Sequence, residues 1–285
     1  MGKQKAPILS LGAAGTIGGT ITYQRIHRTN IARKKPIPTD PQTDLQLDRR
    51  SLYRCVCYMW HSLIATEKQQ WETDARRHRI TGFNLYMRTY LLLLANPLAL
   101  YPFAKGTGAT AYDYSRNGHH AAIFGAVWKY GDFKPYLQFD GVDDKVQMPI
   151  NAFNLGIAHS GAIEACITPA ANTFRAIIND YHSPSKKGIH LRIGAANSIV
   201  FYGFDLVEQF SIVTTRTLTM GQKHVVRAYY TGTQAFVYVD GELWGQSAQT
   251  GDIGSSPYGL AIGRRPWDNW GPFKRDFHYI VLYQP

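Results

Sequence analysis

Two groups of side chains in this sequence could do chemistry. Asp140, Asp143 and Asp144 fall within five consecutive positions, with Asp113 and Asn117 ahead of them. Together they could supply oxygen ligands to calcium, which takes six to eight. Asp and Asn are also ordinary turn residues that accept hydrogen bonds from nearby backbone amides, so a purely structural use stands beside the metal. The second group is Trp267-Asp-Asn-Trp270, flanked by Arg264-Arg265 and Lys274. Indole faces beside an amide and charges suit sugar stacking or a protein contact. Trp267, Asn269 and Trp270 are therefore candidate glycan- or partner-binding residues, with Tyr202 as a weaker one. The same two tryptophans could instead cover one end of a fold.

Catalysis has less to work with. Glycoside hydrolysis needs two carboxylates at a set separation. Glu164, Glu208 and Glu242 each lack an acidic partner at alternating positions, and the adjacent Asp143 and Asp144 are expected to point apart. No Ser/His/Asp nucleophile signature, phosphate-cradling loop or His-x-x-x-His metal pair occurs. No catalytic residue is assigned, and a non-enzymatic protein is expected. Cys55, Cys57 and Cys166 are odd in number and irregular in spacing, which argues against a disulfide framework or a zinc site.

The formal charge of +11 is unevenly placed. Residues 1–95 hold 15 Lys and Arg against 6 Asp and Glu, whereas residues 96–285 hold 16 against 14. The basic excess thus sits in the first third and calls for an anionic neighbour. Its densest part is Arg25, Arg28, Arg33, Lys34 and Lys35, followed by Pro36, Pro38 and Pro41, which hold the chain extended. Residues 1–42 read as an extended basic arm with one short β-like run, Thr20–Gln24. No reading element for specific nucleic-acid recognition is visible, so an acidic protein surface is the favoured partner and DNA a lesser one. No apolar run reaches the ~20 residues of a membrane span.

The elements that position these groups follow from periodicity. Asp44 can cap a helix carrying Leu52, Val56, Met59 and Leu63 at spacings of three and four. Thr66-Glu-Lys-Gln69 matches a capping box for a second helix, Thr81-Gly82 breaks it, and Phe83 to Ala95 gives a third. After Pro97 the text changes to short alternating segments separated by turn residues, with strands expected near 161–168, 174–180, 187–193, 197–204, 208–215, 222–231, 234–240, 258–263 and 275–283. Asp240-Gly241 marks a hairpin tip. Leu137 to Pro149 reads as strand, sharp reversal, strand, with three carboxylates at one tip.

That last segment, Phe139-Asp-Gly-Val-Asp-Asp-Lys-Val146 with Pro149, resembles the signature of laminin-G-like, concanavalin A-like jelly-roll domains. Phe103, Gly106, Gly108, Asp113, Ser115, Asn117, Gly118 and Trp128 are similar in order and spacing to the opening of such domains. The segments Tyr238-Val-Asp-Gly241, Leu260–Gly263 and Phe277–Tyr283 resemble their later strands, with a departure at Arg275-Asp-Phe-His278. The resemblance implies a two-sheet sandwich, in a superfamily that includes β-glucanases with a Glu-x-Asp-x-x-Glu strand absent here, and many members that bind calcium. The first third is similar to a small module of tailed-phage structural regions. The residues that carry this are Gly15-Thr-Ile-Gly-Gly19, Arg25 and Arg28, Pro38-Thr-Asp-Pro41, Trp60-His-Ser-Leu63, Trp71, and Gly82-Phe-Asn-Leu-Tyr86. It implies a virion component whose arm docks on neighbouring subunits.

The expectation is a mostly β protein. Residues 1–42 form an arm, 43–96 a helical anchor, and 97–285 an antiparallel jelly-roll sandwich. It would be a virion protein made in a host cytoplasm, held in an oligomeric particle by its arm. It would display a lectin-like domain as a decoration, a fibre-like appendage or an adsorption module for a host-surface glycan. The rival is a cellular carbohydrate-binding module whose basic leader touches nucleic acid or membrane. Calcium is the one candidate cofactor.

Overall fold

The computed structural model describes residues 15–17, 21–26, 29–34, 44–63, 65–93, 97–131, 135–151, 153–170, 174–268 and 270–284, those before residue 49 by their backbone alone. The chain forms two compact units, Met1–Leu47 and Asp48–Pro285. In the first, β1 (Gly15–Ile17), β2 (Ile21–Ile26) and β3 (Thr29–Lys34) make a three-stranded antiparallel sheet in that order. The β-like run is thus longer than the sequence suggests, and what reads as an extended arm pairs with itself over these residues. The β-branched and aromatic residues of Ile21-Thr-Tyr favour pleated backbone, and pairing satisfies its amides.

Three helices follow: α1 (Asp44–Ser62), α2 (Ala65–Ala75) and α3 (Gly82–Leu93). Thr66 lies inside α2, so it is not the cap its spacing suggests. Thr81 caps α3 instead: its hydroxyl accepts the Asn84 amide at 3.2 Å, and its carbonyl accepts the Leu85 amide at 3.0 Å. The residue read as a breaker is the start of the next helix. Gly82 lies where α3 meets α2, and a β-carbon there would stand 2.6 Å from the Glu72 amide nitrogen.

The remaining chain makes β4 (Ala99–Tyr101), β5 (Thr110–Ala111), β6 (Ala121–Phe124), β7 (Val127–Tyr130), β8 (Pro135–Asp140) and β9 (Lys145–Gln147). Then come β10 (Ser160–Pro169), β11 (Arg175–Asn179), β12 (Lys187–Ile193), β13 (Ser198–Asp205) and β14 (Val207–Thr217). The last are β15 (His224–Thr231), β16 (Gln234–Val239), β17 (Glu242–Ala248), β18 (Ala261–Ile262) and β19 (Lys274–Tyr283). One sheet runs β17-β16-β15-β10-β19-β8-β7, with β4 also paired to β19. The other runs β14-β13-β12-β11-β18-β9-β6-β5. The expected two-sheet antiparallel sandwich is present.

Between the sheets lie Ile163, Ala165 and Ile167 of β10, Ile189, Leu191 and Ile193 of β12, and Phe139, Phe201, Phe277 and Leu282. The other face of the first sheet is also apolar: Ala162 and Cys166 on β10, and Tyr279, Val281 and Tyr283 on β19. Leu52, Val56 and Met59 of α1 and Leu63 just after it, with Tyr86, Met87 and Tyr90 of α3, cover it. The helices therefore form a third layer on the sandwich. The change of text near residue 96 is a change of secondary structure inside one packed unit, and β10 and β19 are buried along nearly their whole length because both faces are covered.

Two turns carry acidic residues at their corners. At the hairpin tip, Asp240 and Gly241 both take positive φ, 50° and 83°, the geometry of a two-residue turn whose twist matches its strands. The reversal after Asp140 joins no hairpin. Strand β8 belongs to one sheet and β9 to the other, so Gly141–Asp144 carries the chain across the sandwich.

Candidate glycan-binding surface

The second sheet's outer face gathers an aromatic platform. Alternation in β12 sends Ile189, Leu191 and Ile193 inward and leaves His190 and Arg192 on the far side. Cross-strand register sets Asn179, His190, Tyr202 and Ser211 in one row over β11, β12, β13 and β14. His190 Nδ1 lies 3.0 Å from the Tyr202 hydroxyl, and their rings meet edge to face at 5.1 Å. Loops fold over this row. Trp267 donates its indole N–H to the Tyr181 carbonyl at 3.1 Å. The Trp270 ring stands 5.3 Å from His190 and 6.0 Å from Phe174, and its amide donates to Asp268 Oδ1 at 3.0 Å. Tyr181 packs against Phe204 at 4.9 Å, and His182 meets Trp267 and Tyr258.

Of the candidates named from sequence, Trp267, Trp270 and Tyr202 come together here, and none belongs to the buried residues of either apolar core. Asn269 lies outside the described residues. Lys274 sits elsewhere, lining a cleft beside Asp140 and Asp144. Sequence reading placed Arg265 beside the tryptophans but missed Tyr181, His190 and Arg192. The signal was present in β12, where His190 and Arg192 interrupt an apolar strand at every second position, as Tyr202 and Phe204 do in β13.

Beneath the platform lie buried polar atoms that find no partner among the described residues. His190 and Asn179 are fully buried, yet His190 Nε2 and Asn179 Nδ2 have no hydrogen-bond partner among the described residues. Arg192 Nη1 and Arg265 Nε are in the same condition. Burial, then the charges of Arg192 and Arg265, hold the His190 imidazole well below its ordinary value, so it is neutral.

The carboxylates divide. Asp140, Asp143 and Asp144 bring oxygens within 4.8 Å of one another. Asp140 Oδ1 accepts the Val142 amide and Asp144 Oδ2 the Asp140 amide, each at 2.7 Å. Burial first, with the charges of Asp140 and Asp143 added, pushes the Asp144 carboxyl up despite its amide bond. The three are hard oxygen donors of the kind calcium takes, and water would have to complete its shell. Asp113 and Asn117 do not join them. The Asp113 carboxylate accepts the amides of Leu100, Ser115 and His119 and the Ser115 hydroxyl, at 2.6–3.0 Å. Asn117 Nδ2 donates to the carbonyls of Pro97 and Leu98. With Trp128 bonded to the Gly108 carbonyl at 2.7 Å, this motif is a clasp that fastens the first strand of the sandwich. The calcium set read from sequence is corrected to its last three members, because only they bring their oxygens together, while the Asp113 carboxylate and the Asn117 amide nitrogen are bonded within the clasp.

The basic residues of the first unit are only partly visible. Arg25 pairs with Asn30, Arg33 with Thr22 and Lys34 with Ile21 in the strand register. Arg28 and Lys35 lie outside the described residues.

Residues 140–283, half of the chain, match the family model for the concanavalin A-like lectin/glucanases superfamily. No curated protein matches by sequence. Among solved structures the chain is similar to domain 4 of AbnA, a GH43 extracellular arabinanase from Geobacillus stearothermophilus, in complex with arabinotriose. That likeness has a TM-score of 0.51 and 13% identity, over 66% of this chain and 92% of that one. It is similar to the binding domain of Paraclostridial Mosquitocidal Protein 1, with a TM-score of 0.53 and 12% identity, over 67% of this chain and 49% of the other. It is also similar to Trypanosoma rangeli sialidase in complex with 2,3-difluoro-KDN, with a TM-score of 0.51 and 17% identity, over 66% of this chain and 30% of that enzyme. At these identities the likeness is one of fold.

Proposed function

From the premise that this chain belongs to the concanavalin A-like lectin/glucanases superfamily, we propose that it is a non-enzymatic glycan-binding protein whose sugar sits on the aromatic platform. One observation carries the reading. Tyr181, Tyr202, Trp267 and Trp270 converge from separate segments on a face that neither hydrophobic core needs. Flat rings with the half-buried guanidinium of Arg192 among them suit the apolar faces and hydroxyls of a sugar. A glycan array probed with the full chain tests this. Trp270→Ala and Tyr202→Ala should each lose most binding while melting like the parent, and unchanged binding in both would remove the platform from the reading.

The setting we propose is a virion made in a host cytoplasm, where the basic front of the chain grips other particle proteins and the sandwich displays the platform. Support comes from the concentration of charge in the first third and from the order of motifs between residues 10 and 90. The helices are committed to covering the sandwich, so the grip falls to residues 1–47. Protease sensitivity of residues 1–42 in isolated protein, replaced by protection in purified particles, is the expected result. Equal cleavage in both would overturn the setting. A cellular carbohydrate-binding module is the second reading, favoured by the likeness to an arabinanase domain found with arabinotriose. Steeply salt-dependent DNA binding by the basic leader would support it.

A further inference from the structure

The platform is cationic as well as aromatic. Arg265 holds its guanidinium 4.0 Å from the Trp270 centroid, and Arg192 lies 5.6 Å from the same centroid and 5.0 Å from that of Phe174. Arg175, beside Phe174 in the chain, donates to the Pro272 carbonyl at 2.5 Å. Opposing charge is scarce. Asp268 pairs with Arg265 at 3.4 Å, and Glu208 stands across from Phe204 at the outer margin. Among the described residues, Arg192 and Arg175 make no ion pair with any carboxylate. Two like charges beside one ring repel each other, and a surface that only stacked on neutral sugar would have no use for that cost. Beneath them the His190 imidazole is depressed by its burial first, and by the charges of Arg192 and Arg265 in addition.

Resting on the glycan reading, we propose that the sugar bound here carries a carboxylate, with Arg192 as its main partner and Arg265 assisting. A guanidinium presents paired N–H donors in a planar fork that matches a carboxylate, and its charge makes those bonds about twice as strong as neutral ones. The stacked rings would hold the sugar face while the fork reads the acid. This selects uronic or sialic acids over neutral sugars of the same shape.

The test uses the full chain and two pairs of probes: trigalacturonate against its methyl ester, and 3′-sialyllactose against lactose. At least one acidic probe should bind about tenfold tighter than its neutral partner, equivalent to about 1.4 kcal/mol. Which acid is preferred tells uronic from sialic recognition. Arg192→Gln should bring the ratio towards one without removing the residual binding of the neutral probe. Arg192→Lys should keep part of it. Arg216→Gln, an exposed arginine paired with Glu242 away from the platform, should change nothing. Equal affinity for the acid and neutral members of both pairs overturns the acid preference and leaves the glycan reading standing. Failure of every probe, together with a blank glycan array, overturns both.

Discussion

The Arg227 guanidinium meets the Glu164 carboxylate at 2.7 Å beneath the helical layer, with Glu164 only 1% exposed. Strands β10 and β15 place the two in register, Tyr279 donates its hydroxyl to the other Glu164 oxygen at 3.0 Å, and Tyr90 of α3 bonds to Arg227. The pair therefore ties the helices to the sheet. Glu164→Gln should cost about 3 kcal/mol in urea unfolding, near the low end for a buried pair because Arg227 keeps a third of its side chain in water. Replacing both by Leu and Met should cost less than either single change. An unaltered midpoint in Glu164→Gln would show that the pair contributes nothing.

Two histidines should give opposite pH slopes. Burial pulls His224 down, but the hydrogen bond and charge of Asp240, 2.6 Å away, outweigh it and raise the imidazole above 6.5. A base raised by folding stabilises fully below pH 6.5, and that contribution drains away as pH climbs through the raised value. His190 is held down, so below pH 6.5 the unfolded chain takes up a proton the folded chain refuses, and stability falls with acid. Melts of His224→Gln should lose the decline above pH 6.5, worth about 1.5 kcal/mol for one charge-assisted bond. Melts of His190→Asn should lose part of the decline below it. Parallel curves for all three proteins would contradict both assignments.

Gly82→Ala sets two effects against each other. Alanine is the better helix former by about 1 kcal/mol. Its β-carbon, however, would press on the Glu72 backbone at 2.6 Å, and overpacking of that kind costs about 1–3 kcal/mol. Net destabilisation is expected, with earlier proteolysis between α2 and α3. A variant more stable than the parent would show that the helices part freely.

Asp113→Ala removes the acceptor for three amides and one hydroxyl in the clasp. The Leu100 amide is left buried and unbonded, so a loss of about 2–4 kcal/mol is expected. Asp113→Asn, which keeps one acceptor oxygen, should lose less. If the two variants melt alike, the carboxylate is not the fastener.

Strand-period alternation with turn residues between was enough to read the sandwich, because period-two burial is a local property of the chain. So were the Asp240-Gly241 hairpin and the apolar face of α1, Leu52, Val56 and Met59, continued by Leu63 just after it. Thr66 misled because a capping box is a spacing common by chance, whereas Thr81 capped with no Glu or Gln at the expected offset. The helical layer left a trace in β19, where Tyr279, Val281 and Tyr283 alternate with equally apolar Ile280 and Leu282. A strand apolar on both faces needs two covers, yet nothing in the strand names the second.

What the amino-acid sequence determined alone was the β-layered architecture, the separation of charge from sandwich, and the two tryptophans flanked by arginine. Only the tertiary structure decided that His190, Arg192 and Tyr181 stand with those tryptophans, and that Asp113 stands apart from Asp140, Asp143 and Asp144. The reason is physical. Side-chain period is written into consecutive residues, but neighbours across strands are set by sheet register and by loops crossing between sheets, which depend on the whole packed chain.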